Sequence, residues 1–333
     1  MSAKAARSVR IHEFGGPEVL RIEDVTVPSP GPGEVRLVIH AFGLNRTEVT
    51  LRSERSPAKP PLPASIGFEA AGVIDELGEG VTGWHLGDRV ALIPAYSAAQ
   101  YALYGEVAVA PARSLIAIPE NQTFEQAAAT WAAFGTAWSG LISVGKLKAG
   151  QTVLITAASS SVGLAAIQIA NSVGARPIAL TRSSQKSSGL RAHGAAAVIA
   201  TEEMDVVEIV KELSEDKGTD LVFDAVGGPG FVKLLQTTAT DGLVILYGAL
   251  HPEPTILSAF QIFARNLSIR GFALPVIARN DQQLAAMKQF IHEGIANGGL
   301  SPTIARTFPF DRIQNAHRFL ESGSQVGKIV VTV

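Results

Sequence analysis

The sequence predicts an α/β protein in which a β-rich domain accompanies a doubly wound, six-stranded parallel sheet. Three observations carry this. Short strand-like runs separated by Gly/Pro turns fill residues 1–125. From 126 to 269, apolar runs of strand length alternate with helical patterns in a βαβ rhythm. Between them, Gln151–Ala170 (QTVLITAASSSVGLAAIQIA) joins a strand, a turn of small residues and a helix into one unit.

In chain order, the first strands are expected at Ser8–Phe14, Val19–Val25, Glu34–Ala41, Ala70–Leu77, Arg89–Pro94 and Glu106–Val109. The turns that separate them include Gly15-Gly16-Pro17, Pro28–Gly33, Gly78–Gly83 and Gly87-Asp88. Glu125–Val144 is apolar throughout and reads as one helical region crossing between domains. Sheet strands follow at Val153–Thr156, Arg176–Thr181, Ala195–Ala200, Asp220–Ala225, Leu243–Tyr247 and Ser268–Gly271. Helices lie between them at Leu164–Val173, ended by Gly174, and at Met204–Leu213, Gly230–Thr238 and Ser258–Phe263. An amphipathic helix at Asp281–Glu293, a strand at Ile304–Phe308, a helix within Pro309–Ser322 and a strand at Lys328–Val333 complete the chain. Residues 270–333 are read as returning to the first domain, which leaves 126–269 as an insertion.

Composition narrows the functional classes. A chain of 333 residues supports two cores. The net charge of −2, with both signs interspersed, points to neither a nucleic-acid nor an anionic-membrane partner. No apolar run reaches the ~18 residues of a membrane span, and the N-terminus lacks an apolar signal core. Cysteine is absent, which excludes disulfides, thiolate chemistry and cysteine-ligated zinc. A cytoplasmic location is expected.

The strand–turn–helix aims backbone N–H groups at a pyrophosphate. Of the three positions of the G-x-G-x-x-G fingerprint, which fall on Ala158, Ser160 and Gly163, only the last is glycine. Ser159, Ser160 and Ser161 keep the turn small and add hydroxyls, and Val162 and Gly163 open the helix. An acid at the end of the next strand would take a ribose 2′-OH, but the chain carries Thr181, Arg182, Ser183, Ser184, Gln185 and Lys186. Cations and hydroxyls suit a 2′-phosphate, so the expected cofactor is NADPH. The strand exit at Asp224–Gly228, including Val226, lies at the carboxyl edge where ligands bind. Tyr247, Gly248 and Leu250, with Phe272 and Leu274, are read as walls of the nicotinamide pocket, and core packing competes for Phe272 and Leu274. Lys328 has two readings, as an approach to the cofactor phosphates or as a solvated charge at a strand end.

Motifs spread along the chain carry a resemblance. FGGPEVL (Phe14–Leu20), PGPGEV (Pro30–Val35), GLNRTEV (Gly43–Val49), GFEAAGVI (Gly67–Ile74) and GWHLGDRV (Gly83–Val90) occur in order, followed by the serine turn and GKIVV (Gly327–Val331). Together they resemble the quinone oxidoreductase (zeta-crystallin-like) group of zinc-independent medium-chain dehydrogenases/reductases. The resemblance implies a GroES-like catalytic domain, a Rossmann cofactor domain, and a nicotinamide held in the cleft between them. It also implies a homodimer joined at the edges of the cofactor sheets.

Zinc-bearing relatives place cysteine at the position of Asn45, histidine at Phe68 and cysteine near Ala132–Ala133, none of which is retained here. Activation of the acceptor is therefore expected from hydrogen bonding. Asn45 is the candidate catalytic residue and also a cofactor contact; capping the Arg46–Leu51 turn is its alternative role. The resemblance places Thr136 against the nicotinamide and adds Thr130, whose alternative is helix packing. Glu69 reads as a structural carboxylate. Ser53–Pro63 reads as a loop bordering the pocket, and one of Tyr96, Tyr101 and Tyr104 as a proton donor or as packing. The activity implied is NADPH-dependent transfer of hydride to a quinone or an α,β-unsaturated carbonyl. Reduction of a ketone or aldehyde, and NADPH binding without turnover, are the alternatives.

Overall fold

The computed structural model describes residues 3–56, 59–96 and 100–333. Pro57 and Ala58 of the proposed pocket loop lie outside the described residues. The chain forms two compact units, one made of residues up to Ala132 together with Pro302–Val333, the other of Ala133–Ser301. The return segment thus begins at Pro302, beyond the expected residue 270. The reason is packing. In the helix Asp281–Ala296, Met287 sits where a side chain on Gly135 would project, and Gln283 accepts a hydrogen bond from Ser143 (2.6 Å). Ser301 is tied to Gln168 by two further bonds, of 2.8 and 3.0 Å. These residues therefore belong to the second unit.

The first unit holds a three-stranded antiparallel sheet, ordered Arg21–Val27, Lys4–Ile11, Ala64–Ser65. Its seven-stranded sheet is ordered Ile304–Pro309, Lys328–Thr332, Glu34–Gly43, Glu69–Leu77, Arg89–Leu92, Leu115–Ala117, with Val107–Pro111 also pairing Glu34–Gly43. β-branched and leucine side chains from these strands (Val9, Ile11, Leu37, Ile39, Ile74, Val331) fill one core. Register is what matters for function. Gly43 stands opposite Val330 on one neighbour and opposite Glu69 on the other. Two residues far apart in sequence, Glu69 and Lys328, are thereby drawn to the end of one strand.

The second unit is the expected sheet. Its strands are β1 (Thr152–Ile155), β2 (Arg176–Thr181), β3 (Ala197–Ala200), β4 (Thr219–Asp224), β5 (Thr238–Leu246) and β6 (Ser268–Gly271). All pairings are parallel, in the order β3-β2-β1-β4-β5-β6. This is the doubly wound order whose carboxyl edge receives a dinucleotide. β5 begins earlier than expected, because the preceding helix stops at Thr237 and Thr238 already pairs with Thr219.

The helical region Glu125–Val144 is not continuous. It breaks into Phe124–Ala128, Trp131–Trp138 and a wider turn over Ser139–Val144, where Gly145 N donates to Gly140 O (2.7 Å). No helix among the described residues is long and apolar enough to cross a membrane.

Candidate functional site

In the first unit, the site is built around the end of the strand Glu34–Gly43. Only glycine fits at 43, since a Cβ there would collide with the Ala128 carbonyl oxygen, the Glu69 carboxylate and the Lys328 side chain. The chain then turns at Asn45, which caps the helix Arg46–Arg52. Asn45 N donates to Glu48 Oε2 (2.9 Å), the reciprocal half of a capping box. Asn45 therefore stands at the N-cap position, and its side chain is held by other partners. Its Oδ1 accepts from Lys328 Nζ (2.7 Å), and its Nδ2 lies 3.2 Å from Glu69 Oε1 and 3.4 Å from both Glu48 Oε1 and Gly43 O.

Lys328 is not a solvated strand-end charge. It is 1% exposed, as are Glu48 and Glu69, and it forms an ion pair with Glu69. The other Glu69 oxygen accepts from Ala132 N (2.9 Å). Lys328 is thus the cation of a buried cluster, a role different from either one expected for it. A buried pair of this kind persists because each charge is hydrogen-bonded as well as paired.

Glu48 is the titratable member. Burial pushes its carboxyl up to about 7; its backbone hydrogen bond, Lys328 and Asn45 oppose that, while Glu69 adds to it. Because the folded value exceeds 4.5, stability from protonated Glu48 is full below pH 4.5 and is lost as pH rises through about 7. The loss is on the order of 3 kcal/mol. Glu48→Gln is expected to flatten this part of the stability–pH curve, measured by denaturant unfolding between pH 5 and 8. An unchanged slope would assign the titration elsewhere.

The tyrosines all hold their protons. Tyr96 is buried and donates to Phe68 O (2.8 Å), and burial with Glu69 and Glu48 nearby raises its pKa. Tyr104 is raised by burial and Glu48, with its ring stacked on Phe42. Tyr101 donates to Glu34 (2.6 Å), and burial together with Glu34 takes it to about 12. Thr130 is fully buried at the helix break, donating to Gln126 O (2.7 Å) and accepting from Gln122 (3.3 Å). That is the packing role.

In the second unit, β1 hands the chain to the turn through Ala157, whose φ of 46° lies in the left-handed region. Ser160 caps the helix Ser161–Ser172, its Oγ accepting from Gly163 N (3.0 Å). A Cβ on Gly163 would stand 2.5 Å from Ala158 Cα, so glycine is what lets helix and turn approach. Ser159, Ser160, Ser161 and Val162 stay partly exposed above this contact. Lys186 reaches back to donate to Ser159 Oγ (3.3 Å), which joins the basic turn to the serine turn. Partial burial lowers the Lys186 pKa, and the nearby charge of Arg182 adds to that. Thr181 is buried at the end of β2, while Arg182 is exposed and Ser183 partly so.

The rest of the carboxyl edge is fastened by a pair that sequence reading did not single out. Buried Asp224 accepts from Thr156 Oγ1 (2.6 Å), Val226 N (2.9 Å) and Gly227 N (2.9 Å), while Ala225 N donates to Thr156 Oγ1 (2.9 Å). Tyr247 N donates to Asp224 O (2.9 Å) and Leu250 N to Ala225 O (3.2 Å), and Gly248 fits close over Ala225 O. Val226, Tyr247, Gly248 and Leu250 are thus brought together, with the Phe272 ring 6.3 Å from that of Tyr247. Leu274 is 5% exposed and packs by Gly135, which is the core role; Thr136 is partly exposed on the same helix as Gly135.

Comparison with known proteins decides the family. The model of the alcohol dehydrogenase GroES-like domain matches residues 31–120, and that of the zinc-binding dehydrogenase matches 161–292. Quinone oxidoreductase of Homo sapiens is 32% identical over 98% of each chain. The crystal structure of quinone oxidoreductase from Pseudomonas syringae pv. Tomato DC3000 superimposes with a TM-score of 0.91 at 30% identity, covering 98% of this chain and 100% of that one. Escherichia coli quinone oxidoreductase complexed with NADPH gives 0.91 at 28% identity, with the same coverage. The chain belongs to the quinone oxidoreductase group of the zinc-independent medium-chain dehydrogenases/reductases.

The name of the second family model raises zinc, and the residues of this quinone oxidoreductase-group chain do not fit it. It has no cysteine, and no group of three His, Asp or Glu residues among the described ones is placed to hold a metal. Between Glu69 and Asn45 lies the Lys328 ammonium. The positive charge of this buried cluster is thus the side chain of Lys328.

Proposed function

We propose that the protein reduces a quinone, or the β-carbon of an α,β-unsaturated carbonyl, at the expense of NADPH. The observation that carries this reading is the joining of a serine turn to a basic turn through Lys186 and Ser159. The cofactor is NADPH. Ser159, Ser160, Ser161, Val162 and Gly163 would hold its pyrophosphate. Thr181, Arg182, Ser183 and Lys186 would hold its 2′-phosphate. Val226, Tyr247, Gly248, Leu250, Phe272 and Thr136 would border its nicotinamide. When bound, NADPH supplies the hydride.

The first unit's contribution is electrostatic. As the acceptor is reduced, negative charge grows on its oxygen, and a fixed donor stabilises it. Two of the three Nδ2 contacts of Asn45 are 3.4 Å long, weak enough for one amide proton to turn to that oxygen. Lys328 holds the opposite end of the amide. Below about pH 7 Glu48 is largely protonated, which leaves the Glu69–Lys328 pair as the charged members of the cluster, and the developing anion then meets no uncompensated carboxylate. Assaying purified protein with NADPH and 1,4-benzoquinone, an enone and a simple ketone tests this. Turnover ordered quinone or enone above ketone supports the reading, and no NADPH oxidation with any acceptor sinks it.

We also propose a homodimer. β6 is an edge strand with three of its four residues exposed. Beside it in sequence, Ile256, Leu257, Phe260 and Phe263 are 52–69% exposed, an apolar surface of the kind that a second copy covers. Light scattering is expected to give twice the chain mass; a monomer at micromolar concentration refutes it.

A further inference from the structure

The basic turn that follows β2 carries an anion of its own. The β2–β3 pairing continues past the strand ends, with Thr201 N donating to Thr181 O (2.8 Å) and Glu202 N to Arg182 O (3.0 Å). That extension delivers the next residue, Glu203, to the turn. Its Oε1 accepts from Ser184 N (2.8 Å), and the carboxylate also engages the Ser184 hydroxyl. Those hydrogen bonds, the backbone one foremost, hold the Glu203 carboxyl below the usual range and so keep it ionised. The turn was expected to be free of acid, and the residue that changes this lies beyond the following strand. Glu203 is exposed, so moving it costs little.

We infer that Glu203 is a specificity-determining residue, whose carboxylate, held on Ser184, places a negative charge in the turn that repels the adenosine 2′-phosphate. The inference rests on the reading of Arg182–Lys186 as the 2′-phosphate turn. A phosphate arriving there gains Arg182 and Lys186 but meets a carboxylate on Ser184. NADH brings a 2′-hydroxyl instead, which donates to that carboxylate without repulsion. Glu203 therefore restrains the preference of the turn for NADPH and gives NADH a foothold.

Glu203→Gln separates charge from geometry, because the amide oxygen still accepts from Ser184 N. Dissociation constants for NADPH and NADH, taken by calorimetry on the full chain, read the effect without turnover. The expected result is NADPH binding tightened about two- to fivefold, with NADH unchanged or weaker. The gain shrinks as salt screens the repulsion. Arg182→Ala, measured alongside, tests the underlying reading and should weaken NADPH by about tenfold or more while sparing NADH. If Arg182→Ala behaves so and Glu203→Gln leaves the NADPH/NADH ratio unchanged, Glu203 only braces the turn and the inference is overturned. If Arg182→Ala leaves NADPH binding intact, the 2′-phosphate reading fails, and the inference falls with it.

Discussion

Lys328→Met is expected to destabilise the protein by about 3–5 kcal/mol, the cost of leaving one member of a buried ion pair without its partner. Both Glu69 and Asn45 lose their contact with the ammonium, and neither can recruit water in a site where Lys328 and Glu69 are each 1% exposed. The double variant Lys328→Met/Glu69→Gln should recover a good part of the loss, because it removes the orphaned charge. Thermal or denaturant unfolding of wild type, both single variants and the double variant gives the coupling directly. Additive effects of the two substitutions would show that the pair is not the unit described.

Gly163→Val carries the second large effect. Its Cβ alone would press on the backbone of Ala158, and branching prevents any escape by rotation. The helix Ser161–Ser172 must then move away from the turn, taking its N–H groups with it. Overpacking of this kind costs about 1–3 kcal/mol or more, which corresponds to roughly 5- to 150-fold weaker NADPH binding if it falls on the bound geometry. Fluorescence titration with NADPH, with circular dichroism as the check on folding, measures it. A folded variant with wild-type affinity would mean that the phosphate turn lies elsewhere.

The second unit was legible in the sequence because its strands are short apolar runs separated by helices, a pattern set by local chemistry. Arg176–Thr181 and Ser268–Gly271 match the expected bounds. Where apolar residues cover every face, periodicity is silent. That is why Glu125–Val144 read as one helix, although Thr130 turns its hydroxyl back to Gln126 O and the chain restarts at Trp131. The end of the second unit was misplaced for a related reason. Nothing local in Asp281–Ala296 says that Met287 belongs beside Gly135.

The site divides the same way. The serine turn and the basic turn are contiguous, so spacing exposed them. Asn45 stood out only through the family motif around it. Lys328 was named, but its partners were not, and Glu203 was missed altogether, because a lone charged residue shows no partner until the fold brings it one. Lys328 meets Asn45 and Glu69 through strand register alone, and Glu203 meets Ser184 through the extended β2–β3 ladder. Asp224 at the end of β4 and Thr156 just past β1 are likewise paired because those strands are neighbours.

This oxidoreductase is expected to work through NADPH and with the Lys328 ammonium in its site, without zinc. Metal analysis of the purified protein, combined with NADPH oxidation by 1,4-benzoquinone before and after chelation, tests it most directly. Far less than one zinc per chain is expected, with turnover unaffected by the chelator. One zinc per chain, with activity lost on chelation and restored by the metal, would contradict it.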